Sequence, residues 1–187
     1  MKFSDLKSLG ICFWVISFNC FLIYSGVVPF NNISTGLVRE QYNFSQTTAA
    51  QLISIPYFTP VLFAPLFGYL VDKGGHRVTL CTFSAIFLCS AHMFFVVLGG
   101  CDKCYVCILP LIFIGLAYSL YAAALWPMVP YVVNTRVIGT AYGVTVAVQC
   151  LGFAFVPNIV GLVQDHTIGY GYVELVFISL VGCRRGR

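Results

Sequence analysis

Six long apolar runs separated by short polar turns set the terms for this chain. They fall at roughly residues 9–30, 47–71, 78–98, 105–133, 139–163 and 168–183. About 20 apolar residues, rising about 1.5 Å each, carry a helix across about 30 Å of hydrocarbon. Most of the runs meet that length; the sixth is short and is followed at once by Arg184, Arg185, Gly186 and Arg187. Only 9% of the 187 residues are charged, against about 25% in a soluble domain. A chain this apolar cannot cover itself with polar surface, so lipid is its expected solvent. The expected fold is an all-α membrane bundle of six transmembrane helices. Lys2 and Lys7 precede the first run, but that run is too long for a signal peptide and no small-residue cleavage site follows it, so it reads as an uncleaved span.

Cationic residues in the loops orient the bundle, because the cytosolic side carries the excess of Lys and Arg. With both termini cytosolic, that side holds Lys2, Lys7, Lys73, Arg77, Arg136, Arg184, Arg185 and Arg187, and the other side only Arg39 and Lys103. A net charge of +4 with scattered basic residues gives no nucleic-acid footprint. The sequons Asn32-Ile33-Ser34 and Asn43-Phe44-Ser45 fall on the lumenal side of that arrangement. Asn32 lies close to the expected membrane edge.

The turn after Val71 concentrates charge between two apolar runs: Gly68-Tyr69-Leu70-Val71-Asp72-Lys73-Gly74-Gly75-His76-Arg77. Glycine lets a chain reverse in few residues. Asp72 can accept from free backbone N–H groups at a helix start, and Lys73 and Arg77 belong in water. Read on its own, the stretch is a charged hairpin. As a pattern it resembles the signature loop of the major facilitator superfamily: glycine, three residues, aspartate, a basic residue, any residue, glycine, two basic residues. Gly68, Asp72, Lys73, Gly75 and Arg77 fit; His76 departs. The loop joins the second and third spans, as it does in a six-helix half of that superfamily.

Three further stretches, SIPYFTPVLFAPLFGYLVDKGG, AYSLYAAALWPMVPYVV and GTAYGVTVAVQCLGFAF, resemble the eighth, tenth and eleventh helices of a lysosomal dipeptide-transporting branch of the superfamily. The resemblance covers nearly all of the chain and implies the C-terminal six-helix half of such a transporter, built from two inverted three-helix repeats, with the N-terminal half absent. It implies solute export from lysosome to cytosol by alternating access, most specifically of small dipeptides, with no cofactor and no enzyme chemistry. It also implies a glycosylated lysosomal accessory partner. Two alternatives stay open: a non-transporting six-span subunit that binds a partner or a second copy of itself as a homodimer, and a carrier of another solute such as a sugar or organic anion.

Candidate substrate-facing residues lie in three spans. In the fourth, Ser119, Ala122 and Trp126 share one face, with Tyr118 and Tyr121 beside them; Trp126 fits either a cavity wall or an interfacial aromatic belt. In the fifth, Tyr142, Thr145 and Gln149 form a polar stripe that needs protein or water opposite it, so it serves either a substrate or helix–helix contact. Asn19 and Tyr24 are the candidates of the first span. Gly139 and Gly143 form a G-x-x-x-G pair suited to close helix contact. Pro56, Pro60 and Pro65 can bend the second span. His92 and Glu174 are ionisable residues inside spans; Glu174, near a span end, is expected to reach the interface, and both read as structural. Cys101-Asp102-Lys103-Cys104 lacks a second pair for a metal site, which leaves a loop disulfide as the expectation.

Overall fold

The computed structural model describes residues 9–99, 102–166 and 171–182, and every regular element among them is helical. In chain order these are α1 (Ile11–Tyr42), α2 (Gln46–Ile53), α3 (Ile55–Gly74), α4 (Arg77–Leu98), α5 (Ile108–Leu125), α6 (Val129–Val132), α7 (Ile138–His166) and α8 (Gly171–Gly182). Single turns of 3₁₀ helix at Tyr105–Cys107, Trp126–Met128 and Thr135–Val137 join α5, α6 and α7 into longer rods. Five rods are long and apolar enough to cross a membrane among the described residues: α1, α2 with α3, α4, the segment Tyr105–Val132, and α7 with its leading turn. α8 is a shorter apolar helix, so a sixth full span is not seen within the described residues.

Local chemistry sets the ends of these helices. Ser45 caps α2 by accepting from the Thr48 N–H at 3.2 Å. Asn43 closes α1 in the left-handed region at φ 54°, a conformation in which Asn is the usual non-glycine residue. Gly75 ends α3 at φ 62° with its N–H bonded to the Val71 carbonyl, which a side chain with a Cβ would resist. The chain reverses here as the sequence expects. Asp72 does not take the capping role expected of it. It sits inside the last turn of α3, and the start of α4 has no side-chain cap bond.

α1 runs a dozen residues past the expected end near residue 30. Leu37, Val38 and Tyr42 of that extension are buried while Arg39 and Glu40 are exposed. One face is thus held by the bundle, and the helix continues beyond the apolar run. The second span is interrupted at Ser54, between α2 and α3; Pro56 stands at the start of the new helix, while Pro60 and Pro65 are accommodated inside α3.

Packing follows a two-fold plan. α5 lies between α3 and α4, α8 lies against α4 and α1, and α7 packs along α1. Exchange spans one, two and three for four, five and six, and the α1–α7 contact becomes the α5–α3 contact while α4–α8 maps onto itself. That is the pairing of two inverted three-helix repeats. Closest approach falls at glycines. A Cβ on Gly115 would come within 2.5 Å of Thr59 Cβ, and one on Gly152 within 2.2 Å of Ser25 Oγ. The expected G-x-x-x-G contact is not seen among the described residues: Gly139 and Gly143 are both exposed, and a Cβ on Gly139 would meet nothing within 4 Å.

His92 and Glu174 join the ends of that plan. His92 Nδ1 and Glu174 Oε2 lie 2.5 Å apart, with the side chains 0% and 1% exposed. Glu174 therefore turns into the bundle and does not reach the interface as expected. The imidazole stacks on Phe177 at 5.0 Å and meets the edge of Phe30 at 5.3 Å. A buried ionisable group needs a partner, and each supplies the other's, tying α4 to α8.

Candidate functional site

Tyr24, in the middle of α1, is the hub of an aromatic cluster. Around it at ring distances of 5.7 to 6.5 Å stand Tyr118, Tyr121, Phe153 and Trp126. α1, α5, the turn after α5, and α7 each contribute a ring. Hydrogen bonds cross-link them. Trp126 Nε1 donates to the Tyr24 hydroxyl at 3.1 Å. Tyr121 donates to Asn19 Oδ1 at 2.8 Å. Tyr142 Oη donates to the Trp126 carbonyl at 2.9 Å, and the two rings stack at 6.0 Å. This last bond has a local cause: Pro130 has no N–H, so the carbonyl four residues earlier lacks its helical partner, and Tyr142 supplies one.

Trp126 is thus held inside the cluster by residues from α1 and α7, at the point where the fourth span breaks into a 3₁₀ turn. Thr145, the next member of the polar stripe, is buried and donates to the Ala141 carbonyl at 2.9 Å; its oxygen lies 3.3 Å from Ser17 Oγ on α1. That contact is helix–helix linkage. Gln149 is half-buried and makes no side-chain hydrogen bond among the described residues. The structure brings Asn19, Tyr24, Tyr118, Tyr121, Trp126 and Tyr142 together, and leaves Thr145 and Gln149 on the adjoining α1–α7 seam.

Two adjoining hollows open beside this cluster. The larger, about 410 Å³, runs between α3 and α5 from Pro60 to Asp72 on one side and from Tyr118 to Pro127 on the other. The smaller, about 150 Å³, is shared by α1, α3 and α5, with Asn31 on its wall. Pro60 and Tyr118 border both. Two polar atoms here are buried without a partner: Ser119 Oγ and Asn31 Oδ1. Asn31 was not foreseen from the sequence, where it reads as the end of the first span. The walls can hold a small ligand but carry no catalytic set, and no group of three or more His, Cys, Asp or Glu side chains suited to a metal occurs among the described residues.

The signature loop sits at one end of the larger hollow. Arg77 Nη1 donates to the Pro127 carbonyl at 3.2 Å, and its guanidinium lies 4.3 Å from the centroid of Tyr131. Lys73 lies over the ring of Tyr69 at 5.6 Å. Both cations are engaged away from Asp72, which is exposed and has no ion-pair partner among the described residues. Gly68 is not required by this chain's own packing, since a Cβ there would meet nothing within 4 Å.

At the opposite end, Asn43 donates to Asp102 Oδ1 at 3.1 Å, Phe44 packs on Tyr105 at 5.2 Å, and the Lys103 N–H donates to the Tyr42 carbonyl at 2.9 Å. Cys104 is disulfide-bonded; Cys101, the other half of the expected loop disulfide, lies outside the described residues. Asn32 is exposed on α1, while Ser34 of its sequon is buried with its hydroxyl on the Asn31 carbonyl at 2.8 Å.

A helical bundle of membrane-spanning rods, arranged as inverted repeats around a hollow lined by aromatic and isolated polar groups, defines a multi-pass membrane protein of the transporter type. The family profile described as Major Facilitator Superfamily matches residues 2–157, and the chain belongs to that superfamily, a family of transporters rather than enzymes. It is 34% identical over 183 residues to the lysosomal dipeptide transporter MFSD1 of Homo sapiens, 33% over 181 to that of Bos taurus and 31% over 179 to that of Danio rerio. These alignments cover 96 to 97% of the chain but only 37 to 38% of each relative. The chain therefore spans less than two-fifths of the length of the curated relatives it matches.

Proposed function

We propose that this chain supplies one wall of a path that moves small dipeptides from lysosome to cytosol by alternating access, the rest of the path coming from a second six-helix unit. The observation that carries the reading is the Tyr24–Trp126 cluster. A polar, hydrogen-bonded aromatic wall placed inside a lipid-soluble bundle is costly unless it serves a cavity, and it borders a hollow of about 410 Å³. The likeness to lysosomal dipeptide transporters supports the substrate class. In this reading the signature-loop end faces the cytosol, as the count of loop cations favours. The Asn43 end faces the lumen, where Asn43 bears a glycan and a glycosylated accessory protein can dock.

A second reading follows from the bundle's uneven cover. Half of the most apolar stretch in the Tyr105–Val132 segment is buried, but only 22% of that in Gln46–Gly74 and 17% of that in Thr135–Val163. α3 and α7 thus present apolar faces that suit lipid, a second six-helix unit or a second copy of this chain equally, and a non-transporting subunit would use the same faces. Radiolabelled dipeptide uptake into proteoliposomes containing the full-length protein separates the two. Transport predicts saturable uptake that falls about ten-fold or more in Trp126→Ala, with the protein still folded. A wild-type protein that carries no dipeptide under any gradient refutes the dipeptide reading and leaves the subunit and the carrier of another solute.

A further inference from the structure

We infer that the smaller hollow, shared by α1, α3 and α5, is a pocket for an uncharged aliphatic or phenyl-sized side chain of the substrate, with Asn31 accepting from that residue's own peptide N–H. The inference rests on the transport reading and names which part of a dipeptide this chain selects. Each helix offers one stripe to the hollow: Val28 and Asn31 from α1, Pro56 and Pro60 from α3, Ile114 and Tyr118 from α5. Residues three or four apart lie on one face of a helix, so three faces close on the same space.

Size and wall chemistry fix the kind of group it takes. The hollow has about 150 Å³, and an apolar cavity of about that volume holds a molecule the size of benzene. Valine, leucine and phenylalanine side chains fit; an indole, with its second ring, exceeds it. No charged residue lines the hollow, so a charged side chain placed here would lose its water without gaining a counter-ion. Two polar groups of the wall want a donor. Asn31 Oδ1 is buried with no hydrogen-bond partner. Pro60 has no N–H, so the Pro56 carbonyl one turn earlier lacks its helical donor. Neutral acceptors suit a neutral donor. In a dipeptide the first nitrogen is an ammonium, which needs an anion when it leaves water, and the second is an uncharged peptide N–H. The residue held here is therefore the second, its N–H on Asn31 and its side chain between the three helices. Pro60 and Tyr118 also border the larger hollow, and Tyr118 meets Tyr24 at 5.7 Å, so the pocket lies beside the aromatic wall.

The test uses the full-length protein in proteoliposomes, with a labelled dipeptide competed by glycyl peptides whose second residue is glycine, valine, leucine, phenylalanine or tryptophan. Glycyl-leucine is expected to compete about ten-fold or more better than glycyl-glycine, the scale for burying several methylenes, and the tryptophan peptide worse than the phenylalanine one. Val28→Phe fills the hollow and should bring the ratio of glycyl-leucine to glycyl-glycine toward one. Val28→Ala enlarges it and should move the optimum toward tryptophan, so this second variant decides the matter if the first does not fold. An ester oxygen in place of the peptide N–H of glycyl-leucine should weaken competition several-fold in the wild-type protein, and Asn31→Leu should abolish that difference. The inference is overturned if the wild-type protein ignores the second residue, if Val28→Phe changes leucyl-glycine as much as glycyl-leucine, or if the ester penalty survives in Asn31→Leu. A probe independent of transport is N-acetyl-leucinamide set against N-acetyl-glycinamide in a thermal-shift assay. Stabilisation by the leucine compound alone at millimolar concentration, lost in Val28→Phe, supports the pocket even where no dipeptide is carried. Equal stabilisation of the wild-type protein by the two, or none by either, overturns it while leaving dipeptide uptake to stand on its own.

Discussion

Replacing His92 by leucine should be among the most damaging single changes in the chain, and replacing both His92 and Glu174 should be far milder. In the structure the two side chains are 0% and 1% exposed and touch through one nitrogen and one oxygen. Removing the imidazole strands the carboxylate among Phe177, Phe30 and their neighbours with no water in reach, a situation that costs about 3–5 kcal/mol. At about 2–4 °C per kcal/mol for a chain of this size, the midpoint of thermal unfolding should drop by roughly 6–20 °C. Glu174→Gln keeps a hydrogen bond to the ring and should cost only about 1–2 kcal/mol. The double variant His92→Leu/Glu174→Leu removes both polar groups, and apolar replacements of buried pairs are often near neutral. The losses of the two single leucine variants should therefore exceed that of the double by at least about 2 kcal/mol. Thermal unfolding in detergent, followed by tryptophan fluorescence and by loss of the monodisperse peak, measures all of these. Simple additivity of the two single losses would refute the reasoning, because it would mean that neither group depends on the other and that water or lipid headgroups already reach the site.

Three further outcomes test other parts of the structure. Gly115→Ala should destabilise by about 1–3 kcal/mol through its clash with Thr59, whereas Gly139→Ala, which meets open space, should leave the unfolding midpoint within error. Arg77→Lys should reduce transport several-fold while costing at most about 1 kcal/mol of stability, since a lysine cannot both bond the Pro127 carbonyl and lie flat on Tyr131; equal transport by the two proteins would show that this contact is incidental. Endoglycosidase treatment should remove one glycan from the wild-type protein and none from Asn43→Gln, with Asn32→Gln unchanged. Asn43 is exposed at a helix end, while the Ser34 hydroxyl of the other sequon is buried against its own helix. A glycan lost from Asn32→Gln instead would show that the chain is modified before α1 extends that far.

Much of this architecture is legible in the residues because hydropathy and turn chemistry are local. The apolar runs mark the rods to within a few residues wherever a polar loop follows directly, as at Val71–Val78. They fail at the end of α1, where hydropathy drops after Phe30 but one face, Leu37, Val38 and Tyr42, stays buried. The pattern there changes from uniformly apolar to one-sided, which signals a helix leaving lipid rather than a helix stopping. Proline spacing is informative only in part: of Pro56, Pro60 and Pro65, Pro56 stands just after the break at Ser54, while Pro60 and Pro65 lie inside α3. A proline fits at a helix start, and so it marks the beginning of α3 as readily as a kink within it.

Partnerships between distant spans are a different kind of information. Nothing local to Glu174 distinguishes a carboxylate reaching for the membrane edge from one facing His92, 82 residues away in the sequence. The G-x-x-x-G pair has the same weakness: spacing shows that two small residues share a face, but not what stands opposite, and the close approaches fall at Gly115 and Gly152 instead. What decides these cases is that lipid offers no hydrogen bonds, so every buried polar group must find its complement within the protein or its ligand. Tyr142 finds the Trp126 carbonyl, Thr145 finds Ser17, and His92 finds Glu174. Ser119 has found none, and it lies on the wall of the hollow that Asp72 borders. By the rule that accounts for the satisfied groups, unpaired atoms among the described residues, such as Ser119 Oγ and Asn31 Oδ1 at the hollows and the Ser25 and Tyr42 hydroxyls elsewhere in the bundle, mark where the chain's own side chains do not complete the pairing.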